Sequence, residues 1–461
     1  MSNNQAMSIA ARSNLPATFS ALDSRHKQTI GLLSIGTILE YFDLMLYVHL
    51  VGLLNEIFFP AADHNTAILL SIFAFCSSYM LRPFGAMLFG YIGDKWGRKF
   101  TITTTTFLMA ISCLVMANVP TYAQIGIAAS VIVTLCRVLQ GISSVAEFTG
   151  VQLYLTESLR PPIRYPAVML MPMSVVLGTT LALFMANQII SRGINWRYLF
   201  WVGGAIALIG FFTRTKLQET ADFIQAKSHQ QSQINSASQS VVKPFKLQVK
   251  TILALLLLYA AWPLCSYFSY IYSGNILKSD FGLSAAQVLH ENLLISIGNL
   301  IVIILVTYGS YKFKPVKLAK MLLIPFLITL LFGPYYLINN YTADNLFIFR
   351  ALILWFAPYN GLVAPSSFMR LPTAKRFTYV GVTIAVSNSI FYCLAPLSMV
   401  GLINSCNYWG VTIVVLPLAI CFCWAANYFA QAESNKQENS VEHSYVILNQ
   451  DNNQITQSLG A

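Results

Sequence analysis

Glu40, Asp43 and Tyr47 recur at three- and four-residue spacing inside an apolar run, so on a helix both carboxyls and the phenol share one face. Acids surrounded by hydrocarbon are expensive. They normally face a bundle interior or a water-filled pathway and mark the route of an ion. Two carboxyls one turn apart resist ionising together, which suits one of them, Asp43 ahead of Glu40, to take up and release a proton near neutral pH. The same spacing also fits a buried pair hydrogen-bonded to neighbouring helices.

A later run carries Arg137, Gln140, Gly141, Ser144 and Glu147, which fall on one side or an adjoining side of a helix. A guanidinium at mid-depth binds an anionic substrate through two parallel bonds, with Gln140 beside it, or holds a carboxylate of the first run in its charged form. A fixed ion pair locking the helices fits as well. Glu147 lies closer to the end of its run, where a gate role and a proton-coupling role fit equally. Arg82 precedes Pro83, which should kink its helix and free a carbonyl, so Arg82 reads as structural, near a gate, ahead of substrate-binding. Arg350 sits just inside another run and either snorkels to the headgroups or reaches a cavity. Tyr259 and Trp262 face a cargo cavity together with Tyr47, whereas Tyr270 and Tyr272 read as an outer aromatic belt.

Enzymatic chemistry finds little support. His49 is the one histidine clearly inside an apolar run, no glycine-rich nucleotide loop is present, and no nucleophile, base and acid cluster in sequence. The eight cysteines show neither a disulfide framework nor metal spacing, and Cys76, Cys113, Cys136, Cys393, Cys421 and Cys423 lie within apolar runs. No cofactor and no metal are expected. Asn340-Tyr341-Thr342 matches a glycosylation sequon, a pattern that mostly arises by chance.

The elements that must hold these residues are membrane helices. Of 461 residues, 56% are hydrophobic and 10% charged, with mean hydropathy +0.61, against about a quarter charged in soluble domains. About twelve apolar stretches approach the ~20 residues that cross a bilayer. They run approximately over 28–52, 66–92, 100–118, 124–148, 165–190, 197–213, 249–273, 291–310, 318–338, 345–366, 378–401 and 408–430. A net charge of +11 raises the question of nucleic acid, and the placement of the cations answers it. All but six of the 28 lysines and arginines fall in segments on one side of the membrane; Arg192, Arg197 and Lys278 lie opposite, and Arg82, Arg137 and Arg350 lie within helices. That asymmetry puts both termini in the cytoplasm and removes nucleic acid from the partners.

The first 27 residues are polar and lack a secretory signal, so the first helix reads as an uncleaved anchor. Residues 214–248 form a polar linker between a six-helix unit at 28–213 and another at 249–430, and the tail 431–461 is polar and expected to be disordered. The units share a faint repeat: Glu157 to Arg164 resembles Ser367 to Arg376. The fold class is therefore all-α, a polytopic membrane protein of twelve transmembrane helices in two six-helix bundles.

Arg82-Pro83-Phe84-Gly85 and the run Gly90-Tyr91-Ile92-Gly93-Asp94-Lys95-Trp96-Gly97-Arg98-Lys99 describe an apolar helix that ends on an acid, turns through Gly97 and resumes after a basic cluster. This loop resembles the signature of the major facilitator superfamily. Together with Glu40 to Tyr47, Arg137 to Glu147, Asn195-Trp196-Arg197, Glu219-Thr220 and Leu371-Pro372-Thr373 through Arg376 to Gly381, it resembles the metabolite:proton symporter branch, whose members carry proline/betaine, citrate, α-ketoglutarate and shikimate. The resemblance implies alternating access driven by protons, and uptake of an organic acid, amino acid or zwitterion by a monomer in the bacterial inner membrane. A uniporter, an exporter or a transporter-like sensor keeps the same fold. It also implies that Asp94, paired with Arg98, caps a helix of the second unit, with Gly90, Gly97 and Arg82 completing the gate. Val145 and Ala146 replace paired glycines, and Ser367 replaces an acid. Ser310 stands where a second Asp94 would align.

Overall fold

The computed structural model of the protein describes residues 24–60, 79–215 and 249–431. The first 23 residues, the first part of the second stretch with Cys76, the linker with Glu219 and Thr220, and the tail beyond 431 lie outside the described residues. So do the side chains of Arg98, Val145 and Ala146.

The chain folds into α1 (Ser24–Phe58), α2 (Arg82–Lys95), α3 (Arg98–Asn118), α4 (Ile127–Ser158), α5 (Arg164–Ser191) and α6 (Arg197–Arg214). It continues through α7 (Val249–Ser279), α8 (Ala285–Lys312), α9 (Pro315–Asn339), α10 (Ala343–Phe368), α11 (Arg376–Cys406) and α12 (Trp409–Gln431). Ten described helices are long and apolar enough to cross a membrane. The other two are α6, which is shorter, and α2, described only in its last 14 residues.

Several ends differ from the sequence expectation for local reasons. At 35 residues α1 spans about 52 Å, more than the ~30 Å of hydrocarbon, so its ends project beyond the apolar layer. The start of α8 is set by a capping box in which Ser284 and Gln287 satisfy each other's backbone amides, which draws Glu291 inside the helix. α7 is interrupted by a π-turn at Phe268–Tyr272, and α10 breaks after Trp355 before short turns at Asn360–Leu362 and Ala364–Phe368. Irregular backbone at membrane depth is tolerated where it is buried in protein or lines a cavity. Both breaks face the same one.

α1 packs along α5 and α3 along α6, while α5 meets α8 and α2 meets α11 across the middle of the molecule. Outward faces are apolar, with Phe84, Met87, Leu88 and Tyr91 of α2 and Ile301, Leu305 and Tyr308 of α8 all exposed. A water-soluble protein rarely shows so much contiguous apolar surface, and lipid accepts it.

Candidate functional site

Between α2 and α3 the backbone passes through Gly97 at φ 108, a left-handed value that favours glycine. Just before this turn, Asp94 reaches the start of α11. Its Oδ1 accepts from the Phe377 amide at 3.3 Å, and its Oδ2 accepts from the Thr378 amide at 3.0 Å and the Thr378 hydroxyl at 2.7 Å. First-turn amides have no acceptor within their own helix, and a carboxylate there also meets the positive end of the dipole. Gly90 sets the distance, because a Cβ would lie 2.9 Å from Thr378 Cα. Beside this contact Glu157 of α4 pairs with Arg376 of α11 at 3.0 Å. Arg376 closes its own turn on the Leu371 carbonyl at 3.1 Å, and Arg164 does the same to Leu159 at 2.7 Å, so the repeat noted in the sequence recurs as geometry. Ser310 turns back onto its own helix, donating to the Thr307 carbonyl at 2.7 Å.

Deeper in the first six helices, Asp43 is fully buried. Gln140 donates to its Oδ2 at 3.1 Å and accepts from Arg137 at 2.9 Å. Arginine only donates, so the amide has one workable orientation and relays the guanidinium to the acid. The Cys113 thiol donates to the other oxygen, and the Arg137 guanidinium lies 4.1 Å over the Tyr47 ring. Glu40, one turn nearer the Asp94 end, has different surroundings. Neither of its carboxylate oxygens receives a hydrogen bond among the described residues. The acidic face read from the sequence is thus two sites, not one hydrogen-bonded pair.

Glu147 of α4 forms an ion pair with Arg214, the last residue of α6, and both side chains are fully buried. Thr106 of α3 bonds both members. Gly36 of α1 leaves the space that the guanidinium fills. Arg214 opened the linker in the sequence reading; in the structure it closes α6 and is drawn into the bundle, because Glu147 would otherwise be a buried charge without compensation.

α1, α2, α4, α5, α7, α8, α10 and α11 line a cavity of about 1260 Å³, counted with its open mouth. Tyr259 and Trp262 line it, as expected; Arg82 and His49 also do, and no carboxylate does among the described residues. Arg137, Gln140 and Tyr47 do not reach its wall, since they are engaged around Asp43. Arg82 lies 4.1 Å over the Tyr79 ring, which stacks at 3.9 Å on Tyr392 of α11. The Tyr259 hydroxyl reaches Gln152 of α4 at 3.4 Å, and Tyr359 bonds Asn299 at 3.1 Å. Tyr270, read from the sequence as a belt residue, faces the cavity and meets the His49 ring edge-to-face at 5.8 Å, because the π-turn rotates it inward.

Comparison with known proteins places this architecture. The family model described as Major Facilitator Superfamily matches residues 33–399. The chain belongs to the Major Facilitator Superfamily. It is 29% identical over 212 residues to the proline/betaine transporter of Salmonella typhimurium. That match covers 44% of this chain and 42% of the relative, so the chain spans less than half the length of the proline/betaine relatives it matches. It is 27% identical to the citrate-proton symporter of Salmonella typhi over 83% of this chain and 90% of the relative. Among solved structures, the proton:xylose symporter XylE of E. coli superposes with TM-score 0.70 at 18% identity, covering 87% of this chain and 95% of that one, a likeness of fold. The protein is a multi-pass membrane protein of this superfamily.

Within that fold the second six helices bury their own charge at the end opposite Asp94. Arg350 is fully buried, not snorkelled, and it pairs with Glu291 while donating to Asn292 at 2.8 Å and to the Ser269 carbonyl at 3.2 Å. The sequence assigns no site role to Glu291, Cys113, Arg214 or the Tyr79–Tyr392 stack. Glu291 and Arg214 sat at the margins of apolar stretches, where charge is ordinary, and only the helix ends drawn in the structure place them inside.

Proposed function

We propose that this superfamily member is a proton-coupled symporter of a small organic anion that works by alternating access. Asp94 on the first turn of α11 carries the reading. It ties the first six helices to the last six at one end, with the cavity beyond, and opening that end means releasing Asp94 from Thr378 and Glu157 from Arg376. The moving units are residues 28–213 and 249–430, joined by the linker, and the Asp94 end with both termini faces the cytoplasm, where the cations cluster. Arg98, Gly90, Gly97 and Arg82 serve the gate with Asp94.

Asp43 is the proton site. It is buried beside a cation that reaches it through Gln140, so gain or loss of its proton changes the charge balance of the core and the hold of α1 on α3, α4 and α6. Glu40 and Glu147 support it around Arg214. The working unit is a monomer in the inner membrane, with a small-molecule substrate and protons as partners. The citrate-proton relative, matched over most of its length, is consistent with this coupling.

Reconstitution in liposomes with a trapped pH-sensitive dye tests the reading. A symporter acidifies the lumen when an organic anion is added outside. Carriage without acidification marks a uniporter, and neither carriage nor acidification with any organic acid, amino acid or betaine marks a transporter-like sensor.

A further inference from the structure

We infer that Cys113 is a positioning residue for the Asp43 proton: its thiol donates to the carboxylate while Asp43 is charged and turns to the Phe200 carbonyl of α6 when Asp43 is protonated. This rests on the reading of Asp43 as the proton site and adds the group that passes its change of charge to a neighbouring helix.

A thiol has one hydrogen, and two acceptors compete for this one. On one side lies Oδ1 of Asp43, and on the other the Phe200 carbonyl, 3.3 Å from Sγ. Asp43, Cys113 and Phe200 are all fully buried. An ionised acid is the stronger acceptor, so it takes the hydrogen while it carries its charge.

Gln140 decides where a proton lands. Its carbonyl oxygen accepts from Arg137 at 2.9 Å, so its amide nitrogen must face Oδ2, at 3.1 Å. A proton on Oδ2 would set its hydrogen against those of the amide. The proton therefore settles on Oδ1, the oxygen that the thiol holds. That contact then reverses: the carboxyl O–H donates to sulfur, and the thiol hydrogen turns to Phe200.

The surrounding helices leave sulfur its place between the two acceptors. On the α6 side Gly203 gives the room, because a Cβ there would lie 2.9 Å from Sγ and 3.3 Å from Asp43 Oδ1. α5 meets this stretch of α1 through Gly178, where a Cβ would strike the Ile38 carbonyl. The other titratable and charged groups that face Asp43 among the described residues are Arg137 and Cys136 of α4 and Glu40 of its own helix, with Tyr47 under the Arg137 guanidinium. Cys113 is the one that bonds the carboxyl on one side and the backbone of another helix on the other.

Infrared difference spectroscopy of the full chain in lipid vesicles tests the inference, because S–H stretches fall clear of other protein bands and drop in frequency as their acceptor strengthens. The chain has eight cysteines, and subtracting the spectrum of Cys113→Ala isolates the band that matters. Cys113→Ser serves the same subtraction where the alanine variant does not fold. Asp43→Asn identifies the C=O band of the protonated Asp43 carboxyl in the same way. Lowering the pH should bring up that C=O band and, in step with it, shift the Cys113 S–H band to higher frequency. A thiol that only fills space would not move. In Asp43→Asn the S–H band should stay at the high position at every pH, since the new amide keeps Gln140 on its oxygen and turns its own N–H groups toward sulfur. The Asp43 C=O band should fall in frequency in Cys113→Ser and rise in Cys113→Ala, as the carboxyl proton meets a better acceptor or none. A C=O band that appears while the S–H band stays fixed overturns the inference and leaves Asp43 as the proton site. An S–H shift that persists in Asp43→Asn overturns it as well. Absence of the Asp43 C=O band at every pH at which the protein stays folded refutes the proton-site reading, and the inference with it.

Discussion

The first six helices and the last six bury charge in different places. α1, α3, α4 and α6 hold Asp43, Glu147 and Arg214 fully enclosed, with Glu40 and Arg137 nearly so, through the middle of the bundle. α7 to α12 keep their charge at the two ends, as Arg350 with Glu291 at one and Arg376 at the other, and fill their middle with Tyr259, Trp262, Asn299 and Tyr359. Two units built on one helical plan have thus been filled with different chemistry. One has the groups to hold a proton, and the other has the rings and amides to hold a cargo. On the proposed account the halves divide the labour.

The largest effect that should set them apart is on stability. Arg214→Met strands Glu147 as a fully buried charge and should cost about 3–5 kcal/mol, measured by thermal unfolding in detergent, with Glu147→Leu on the same chain recovering most of it. Arg350→Met should cost less, about 1–3 kcal/mol, because the Glu291 side chain is 21% exposed and can reach solvent. Equal losses would break the comparison.

A second asymmetry lies at the loops. Asp94→Asn should weaken a charged cap by about 2 kcal/mol, lower transport and leave insertion intact. It should also speed alkylation of a cysteine placed at Gln152, which is fully buried while the Asp94 end is closed. Ser310→Ala, at the aligned position, should change both readouts by less than a factor of two, since it loses one local bond to Thr307. A comparable response would mean that the second loop gates as well.

The smallest effect falls on the loops of the last six helices at the end opposite Asp94. Asp280 accepts from the Ser279 hydroxyl at 2.6 Å and the Tyr341 hydroxyl at 2.6 Å, which hold its carboxyl below the ordinary aspartate range. A depressed carboxyl contributes stability above its unfolded value, near 3.8, that fades as the pH falls through the folded one. Tyr341→Phe should therefore lower Tm by no more than about 1–2 °C at neutral pH and by less at pH 3, because the pair is exposed.

Much of this was legible in the chain itself. Twelve apolar stretches and one-sided cations suffice for the membrane architecture, since the bilayer tolerates few alternatives. Gly90, Asp94 and Gly97 could be read because each serves a backbone feature: Gly90 a close approach, Gly97 a turn, and the Asp94 carboxylate a cap on the free amides of α11. The cargo site was harder to read. Arg137 and Gln140 have the residue types of an anion site, yet their helix turns them onto Asp43, a choice made by the packing of α1 against α4. Tyr270 was misjudged because a π-turn shifts the face of α7, and no periodicity argument anticipates one extra residue in a turn. Arg214 and Glu291 depend on where a helix ends, which is where sequence patterns are weakest.

The central claim is that the proton is carried in the first six helices, on Asp43. Asp43→Asn keeps the shape of the side chain and its bond to Gln140 while removing the titrating group. In liposomes with an inward proton gradient the variant should lose net accumulation of labelled cargo, and cargo-for-cargo counterflow without a gradient should continue at a rate within a few-fold of wild type. Accumulation by Asp43→Asn equal to that of the wild type would contradict the account.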